Sequence, residues 1–165
     1  MNSGVYTDST SHVYAVGEVV SAATMNTYIQ QDLAFLRAGM MLAASVGTGQ
    51  TSASTTYVDL ATVGPQVTVT TLTTAWVDLS AYISNTGGGS NQWMAVAVSG
   101  ATTIPAADSN AITSGSPATY AYSLGGGVLV AGLTPGANTF TAKYRTVAGT
   151  GTWEYRNLRV TALGV

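Results

Sequence analysis

From Gly47 to the C-terminus, apolar residues recur at every second position in eight short runs, and this period constrains the fold more than any other feature. The runs are Val58 and Leu60; Val67 and Val69; Val77, Leu79, Ala81 and Ile83; Met94, Val96 and Val98; Tyr120, Tyr122 and Leu124; Val128 and Val130; Phe140, Ala142 and Tyr144; and Leu158 and Val160. A period of two turns alternate side chains to opposite faces of an extended chain, so each run describes a strand with one face in a core. Turn-forming clusters separate them: Gly64-Pro65, Asn85 to Asn91, Ser99-Gly100, Ser114 to Pro117, Gly125-Gly126-Gly127, Thr134 to Asn138, and Gly149-Thr150-Gly151. Short strands at this spacing predict a mainly β fold, an antiparallel, jelly-roll-like β-sandwich over residues 47–165. Thr55 to Ala61 and Thr74 to Ser80 echo each other, and the echo predicts two comparable strands entering one core.

Upstream the period changes. Residues 1–20 read as an extended arm, polar first and then apolar at Val13, Tyr14, Val16, Val19 and Val20. Ser21 is a credible N-cap, because its side-chain oxygen can accept from an amide of the first turn. After it Met25, Ile29, Leu33, Leu36 and Met40 form one apolar stripe, with Gly39 placed to end the helix. The predicted helix occupies residues 21–40. A helix of this length is marginal alone in water, so its stripe needs a partner. Two partners fit: the sheet of its own chain, or copies of itself in a short bundle.

Composition narrows the function. Five basic and seven acidic residues in 165 leave a net charge of −2, while 46% of residues are apolar and nineteen are glycine. That is too apolar for a disordered chain. Five cations (Arg37, Lys143, Arg145, Arg156 and Arg159) do not make a nucleic-acid footprint. So weakly charged a surface gives single copies little protection from association. There is no cysteine, so disulfides and thiolate metal sites are excluded. The first eleven residues lack the cationic and apolar regions of a signal peptide, and the run Gly39 to Val46 is far too short for a membrane span. The expectation is a protein made in a cytoplasm, with no membrane partner.

Catalytic raw material is scarce. His12 is the only imidazole, and no nucleophile-elbow pattern accompanies it. Asp59 and Asp78 occupy matching places in the echo, where paired carboxylates for glycoside chemistry compete with the simpler role of solvating outer strand faces. No calcium-loop pattern exists, and the glycine runs at 87–89 and 125–127 lack the Lys-Ser/Thr of a phosphate cradle. We expect no enzyme, cofactor or metal. On the last strand, strict alternation places Trp153, Tyr155, Asn157 and Arg159 opposite Leu158 and Val160. Trp, Tyr and Arg are the residue types of interface hot spots, so Trp153, Tyr155 and Arg159 join Met25, Ile29, Leu33 and Leu36 as expected interface residues.

The stretch Ala15-Val16-Gly17-Glu18-Val19-Val20-Ser21-Ala22, followed by Met25-Asn26-Thr27, resembles the N-terminal attachment segment of many tailed-phage virion proteins. The blocks Gly132 to Arg145 and Gly151 to Val160 resemble the closing strands of phage fibre and decoration sandwiches. The resemblance implies a bacteriophage virion structural protein on the particle surface, assembled in the host cytoplasm. Its attachment residues would be Val13, Tyr14, Val16, Val19 and Val20, and its partners copies of itself and other capsid or tail proteins. One sandwich and a short helix, without repeats to build a shaft, place a homotrimeric capsid decoration protein ahead of a small tail or fibre component. The second class is a binding module that recognises a host surface glycan through aromatics such as Trp93, Trp153 or Tyr120.

Overall fold

A computed structural model describes residues 21–23, 25–26, 29–30, 41–86, 90–116 and 121–163. The chain divides into two units, Met1–Ala34 and Phe35–Val165. In the first, Ala22, Ala23, Met25, Asn26, Ile29 and Gln30 are helical, and the Met25 amide donates to the Ser21 carbonyl at 3.0 Å. Met25 and Ile29, one turn apart, are each 51% exposed. Leu33 and Leu36, and the arm residues Val13, Tyr14, Val16, Val19 and Val20, lie outside the described residues.

The second unit is a sandwich of two antiparallel sheets. Its strands are β1 (Met41–Val46), β2 (Gln50–Ser52), β3 (Gln66–Thr71), β4 (Thr74–Asn85), β5 (Ser90–Gly100), β6 (Ala111–Ser116), β7 (Tyr122–Ala131), β8 (Gly136–Thr146) and β9 (Gly151–Leu163). One sheet runs β1-β9-β4-β7, with the short β2 also on β9; the other runs β3-β8-β5-β6. Apart from the steps β1 to β2 and β5 to β6, each successive strand changes sheet, and the first strand pairs with the last. This is the double-sheet pattern of a jelly roll.

The alternation read from the sequence builds the core. Val77, Leu79, Ala81 and Ile83 of β4 face Met94, Val96 and Val98 of β5 and Phe140, Ala142 and Tyr144 of β8, all buried. Each large aliphatic or aromatic side chain buried this way contributes about 1.5–3 kcal/mol.

Four local features depart from the sequence expectations. The sandwich begins before Gly47: Met41–Val46 pairs with β9, Leu42 opposite Val160 and Ala44 opposite Leu158, so residues between the expected helix and the expected domain are a strand. The echo is not two strands. Thr74 to Ser80 lies in β4, but near Thr55 to Ala61 the chain makes only a single bridge, Val58 to Tyr144, because β3 already occupies most of that edge of β8. The triple glycine is not a turn: β7 runs straight through Gly125, Gly126 and Gly127, paired with Ser80, Leu79 and Asp78.

The fourth departure is a bulge in β9. Ser80 faces Asn157, but Tyr82 faces Glu154, so two residues of β9 span the place of one on β4. Tyr155 takes the strain at φ 47°, the left-handed region that a bulky residue rarely adopts. One extra residue reverses the phase of everything before it. Trp153 therefore faces inward with Leu158 and Val160, fully buried, its ring 5.4 Å from that of Tyr144 and lying across Gly151. Arg156 is also buried. Its guanidinium donates to the carbonyl oxygens of Gly64 (3.2 Å) and Thr48 (3.4 Å) and to Gln50 Oε1 (2.9 Å), and packs over the Tyr144 ring. The Tyr144 hydroxyl donates to the same Gly64 oxygen at 2.8 Å, and burial pushes its pKa above the ordinary tyrosine value.

Candidate functional site

On the four-stranded sheet the flanking segments are tied to the outer face by charge: the chain at Ser54 and Val58 runs along the edge of β8, and that at Ile104 along the edge of β5. Lys143 on β8 holds Asp59 at 2.6 Å. Arg145, two residues on, donates through Nε to Asp108 at 3.0 Å, and the Tyr57 hydroxyl donates to the same carboxylate at 2.8 Å. The Arg145 guanidinium stacks 4.6 Å from the centre of the Trp93 ring and 5.4 Å from that of Tyr57. Hydrogen bonds from Arg145 and then Tyr57 hold the Asp108 carboxyl below its usual range. Burial, then the Asp108 hydrogen bond, pushes the Tyr57 hydroxyl above its usual value.

On the outer face of the five-stranded sheet the ion pair Asp78–Arg159 joins two strands and ties down no loop among the described residues. Alternation points Trp76, Asp78, Ser80 and Tyr82 of β4 outward, beside Gly125, Gly127 and Leu129 of β7, Asn157 and Arg159 of β9, and Ala43 and Ser45 of β1. Two adjacent rows across the strands therefore carry small or flat groups: Ala43, Arg159, Asp78 and Gly127, then Ser45, Asn157, Ser80 and Gly125. Flanking them stand Trp76 with Leu129 on one side and Tyr82 with Tyr155 on the other. The result is a trough of about 670 Å³ that continues into a second hollow of about 440 Å³ between Tyr82 and Tyr155. Four strands at about 4.8 Å spacing make it roughly 14 Å long.

The walls are pre-set. A β-carbon at Gly127 would lie 2.6 Å from Cε2 and 2.9 Å from Nε1 of Trp76, so the Nε1 edge of the indole fills the space that a side chain would take there. Its Nε1 donates to Asp78 Oδ1 at 2.9 Å. The other carboxylate oxygen takes Arg159 Nε at 2.9 Å and Nη2 at 2.8 Å. Burial is the largest single influence on Asp78 and acts upward; the Arg159 and Trp76 hydrogen bonds outweigh it, so the carboxyl titrates below its ordinary value. Trp76 remains 41% exposed, Tyr82 39% and Tyr155 65%. Asn157 Nδ2 donates to Ser80 Oγ at 3.2 Å and to the Tyr155 carbonyl at 2.7 Å.

The expected site residues separate accordingly. Tyr155 and Arg159 lie outward on the trough, but Trp153, expected beside them, is core, because the bulge reverses its phase. Of the aromatics named for glycan contact, Trp93 is capped by Arg145, Trp153 is buried, and Tyr120 lies outside the described residues. Asp59 and Asp78 sit on opposite outer faces of the sandwich, about 10 Å or more apart, and each has its own cation. They are not a catalytic pair. His12 lies outside the described residues, and among those described no cluster of three metal-ligating side chains exists. No described helix is long and apolar enough to cross a membrane. The trough aromatics Trp76 and Tyr82 had a readable signal: both hold the outward phase of β4.

With that geometry in hand, the relatives are structural. The chain resembles infectious bursal disease virus, Gx strain (TM-score 0.54, 10% identity, 76% of this chain and 32% of that one). It resembles the VP2 subviral particle of the same virus (0.52, 11%, 75% and 33%) and Eiger TNF from S. frugiperda (0.51, 14%, 76% and 94%). The common element is the jelly roll. At these identities the likeness is one of fold, and this chain spans about a third of the viral chains. No protein-family model and no curated protein matches the sequence.

Proposed function

We propose that this is a non-enzymatic bacteriophage virion protein of the particle surface, a homotrimeric capsid decoration protein ahead of a small tail or fibre component. One observation carries the reading: the chain divides into an N-terminal unit, Met1–Ala34, and a sandwich with a complete core of its own. A sandwich that is self-sufficient does not need the first unit to fold, which frees that unit for attachment and assembly. Met25 and Ile29 begin the apolar stripe and are half exposed, as helix residues awaiting copies of themselves would be. The resemblance of residues 15–27 to phage attachment segments supplies the particle. A jelly roll is also the fold shared with VP2, which forms subviral particles.

The test compares the full chain with a fragment lacking residues 1–34. The full chain should sediment as a trimer at micromolar concentration and label intact particles in electron micrographs. The fragment should be monomeric, melt as the sandwich does in the full chain, and leave particles bare. A fragment that decorates particles at normal occupancy would place attachment on the sandwich and end this reading.

A further inference from the structure

We propose that the trough on the five-stranded sheet is a binding site for a neutral oligosaccharide, with Trp76 as its stacking platform. The inference does not depend on the virion reading. An indole packed over Gly127, fixed through Nε1 and with Trp76 still 41% exposed is already oriented, so a ligand ring stacking on it meets a group with little conformational freedom left to lose. The electron-rich face of an aromatic attracts positively polarised hydrogens, which the C–H face of a pyranose supplies.

Gly125 is the second observation. Glycine inside a strand weakens it and marks close approach of a ligand or another backbone. Gly127 is explained by Trp76, but a β-carbon at Gly125 would make only ordinary contacts, 3.5 Å from Ser80 Cβ and 3.6 Å from the Leu79 oxygen. Among the described residues nothing requires glycine there. Its bareness deepens the trough beside Tyr82 and Tyr155.

The floor selects the chemistry. Between the aromatic walls lie Ser45, Ser80 and Asn157 and the mutually neutralised pair Asp78 and Arg159. A protein partner's hot spot would call for a contiguous apolar centre depleted of charge. Here the aromatics stand apart across a hydroxyl- and amide-bearing floor with no net charge, which fits a ligand of alternating C–H faces and hydroxyls, each hydroxyl both donor and acceptor.

Calorimetric titration of the full chain with neutral hexasaccharides of glucose, galactose, mannose and N-acetylglucosamine tests this. At least one should bind. Gly125→Val, a strand-favouring substitution that fills the trough, should weaken binding at least about tenfold, with melting and sedimentation unchanged. Trp76→Ala should weaken it from the opposite wall. Absence of binding across the panel overturns the proposal, as does undiminished binding by Gly125→Val. Dissociation of the oligomer by Gly125→Val would assign the trough to a second copy of the chain and equally overturn it.

Discussion

The two outer faces of the sandwich are made from similar strands and treated in opposite ways. On the four-stranded sheet every described cation is a tie: Lys143 and Arg145 pin Asp59 and Asp108, and with them the segments that flank the face. On the five-stranded sheet the ion pair Asp78–Arg159 pins no loop. It holds an indole still. In a chain with so few charges, placement of each pair decides what it ties. One face keeps its aromatics, Trp93 and Tyr57, against a guanidinium that also holds a flanking segment; the other keeps Trp76 fixed to Asp78 and 41% exposed.

The contrast breaks most severely if the bulge at Tyr155 is misjudged. Trp153→Ala should destabilise the sandwich by about 3–5 kcal/mol, as expected for a large aromatic lost from a core, read as a large fall in melting temperature. A variant that melts like the wild type would return Trp153 to the outer face. Gly127→Val comes next. Its side chain must displace the Trp76 indole, and overpacking of this kind costs about 1–3 kcal/mol; the indole fluorescence should shift to the red as Trp76 swings into solvent.

Ties on the four-stranded sheet are individually weaker. Lys143→Ala should cost about 0.2–1 kcal/mol, the range of partly exposed ion pairs, while amide exchange in residues 55–60 rises. Exchange that stays unchanged would mean that the segment is held by its bridge to β8 and not by the ion pair.

Acid and base should act gently. Asp78 and Asp108 both titrate below their ordinary values in the fold. Their contribution to stability is therefore complete above about pH 4 and is lost as pH falls through the lower folded-state values. Tyr57 and Tyr144 are raised, so their contribution is complete below about pH 10 and declines as pH rises beyond it. Melting temperature should hold level between these limits; a titration step near neutrality would contradict the assignment.

Much of the architecture was readable because β4, β5 and β8 are long strands with one buried face, and burial enforces strict alternation. The outward phase of Trp76, Asp78 and Ser80 was readable for the same reason. The misreadings share a different cause. Gly125 to Gly127 looks like a turn locally, and only Trp76, on the neighbouring strand, explains glycine at 127. Met41–Val46 carries weak strand signals and takes its conformation from β9. The bulge leaves no local mark, since a tyrosine at positive φ looks like any other tyrosine. Where structure was set by a residue distant in sequence, composition and period were silent.

The pairing of the first strand with the last has a mechanical consequence. A pull entering from the N-terminal side reaches the sandwich at Met41 and runs along β1. Six rungs, from Met41–Thr161 to Val46–Arg156, join that strand to β9, and antiparallel hydrogen bonds stand perpendicular to it. The load is thus shared across all the rungs in shear and passed into β9, the strand that also supplies Asn157 and Arg159 to the trough. A sandwich tethered at one end and gripped at that trough would carry tension through the β1–β9 seam, and the glycine-bearing edge strand β7 would lie outside the direct line of force.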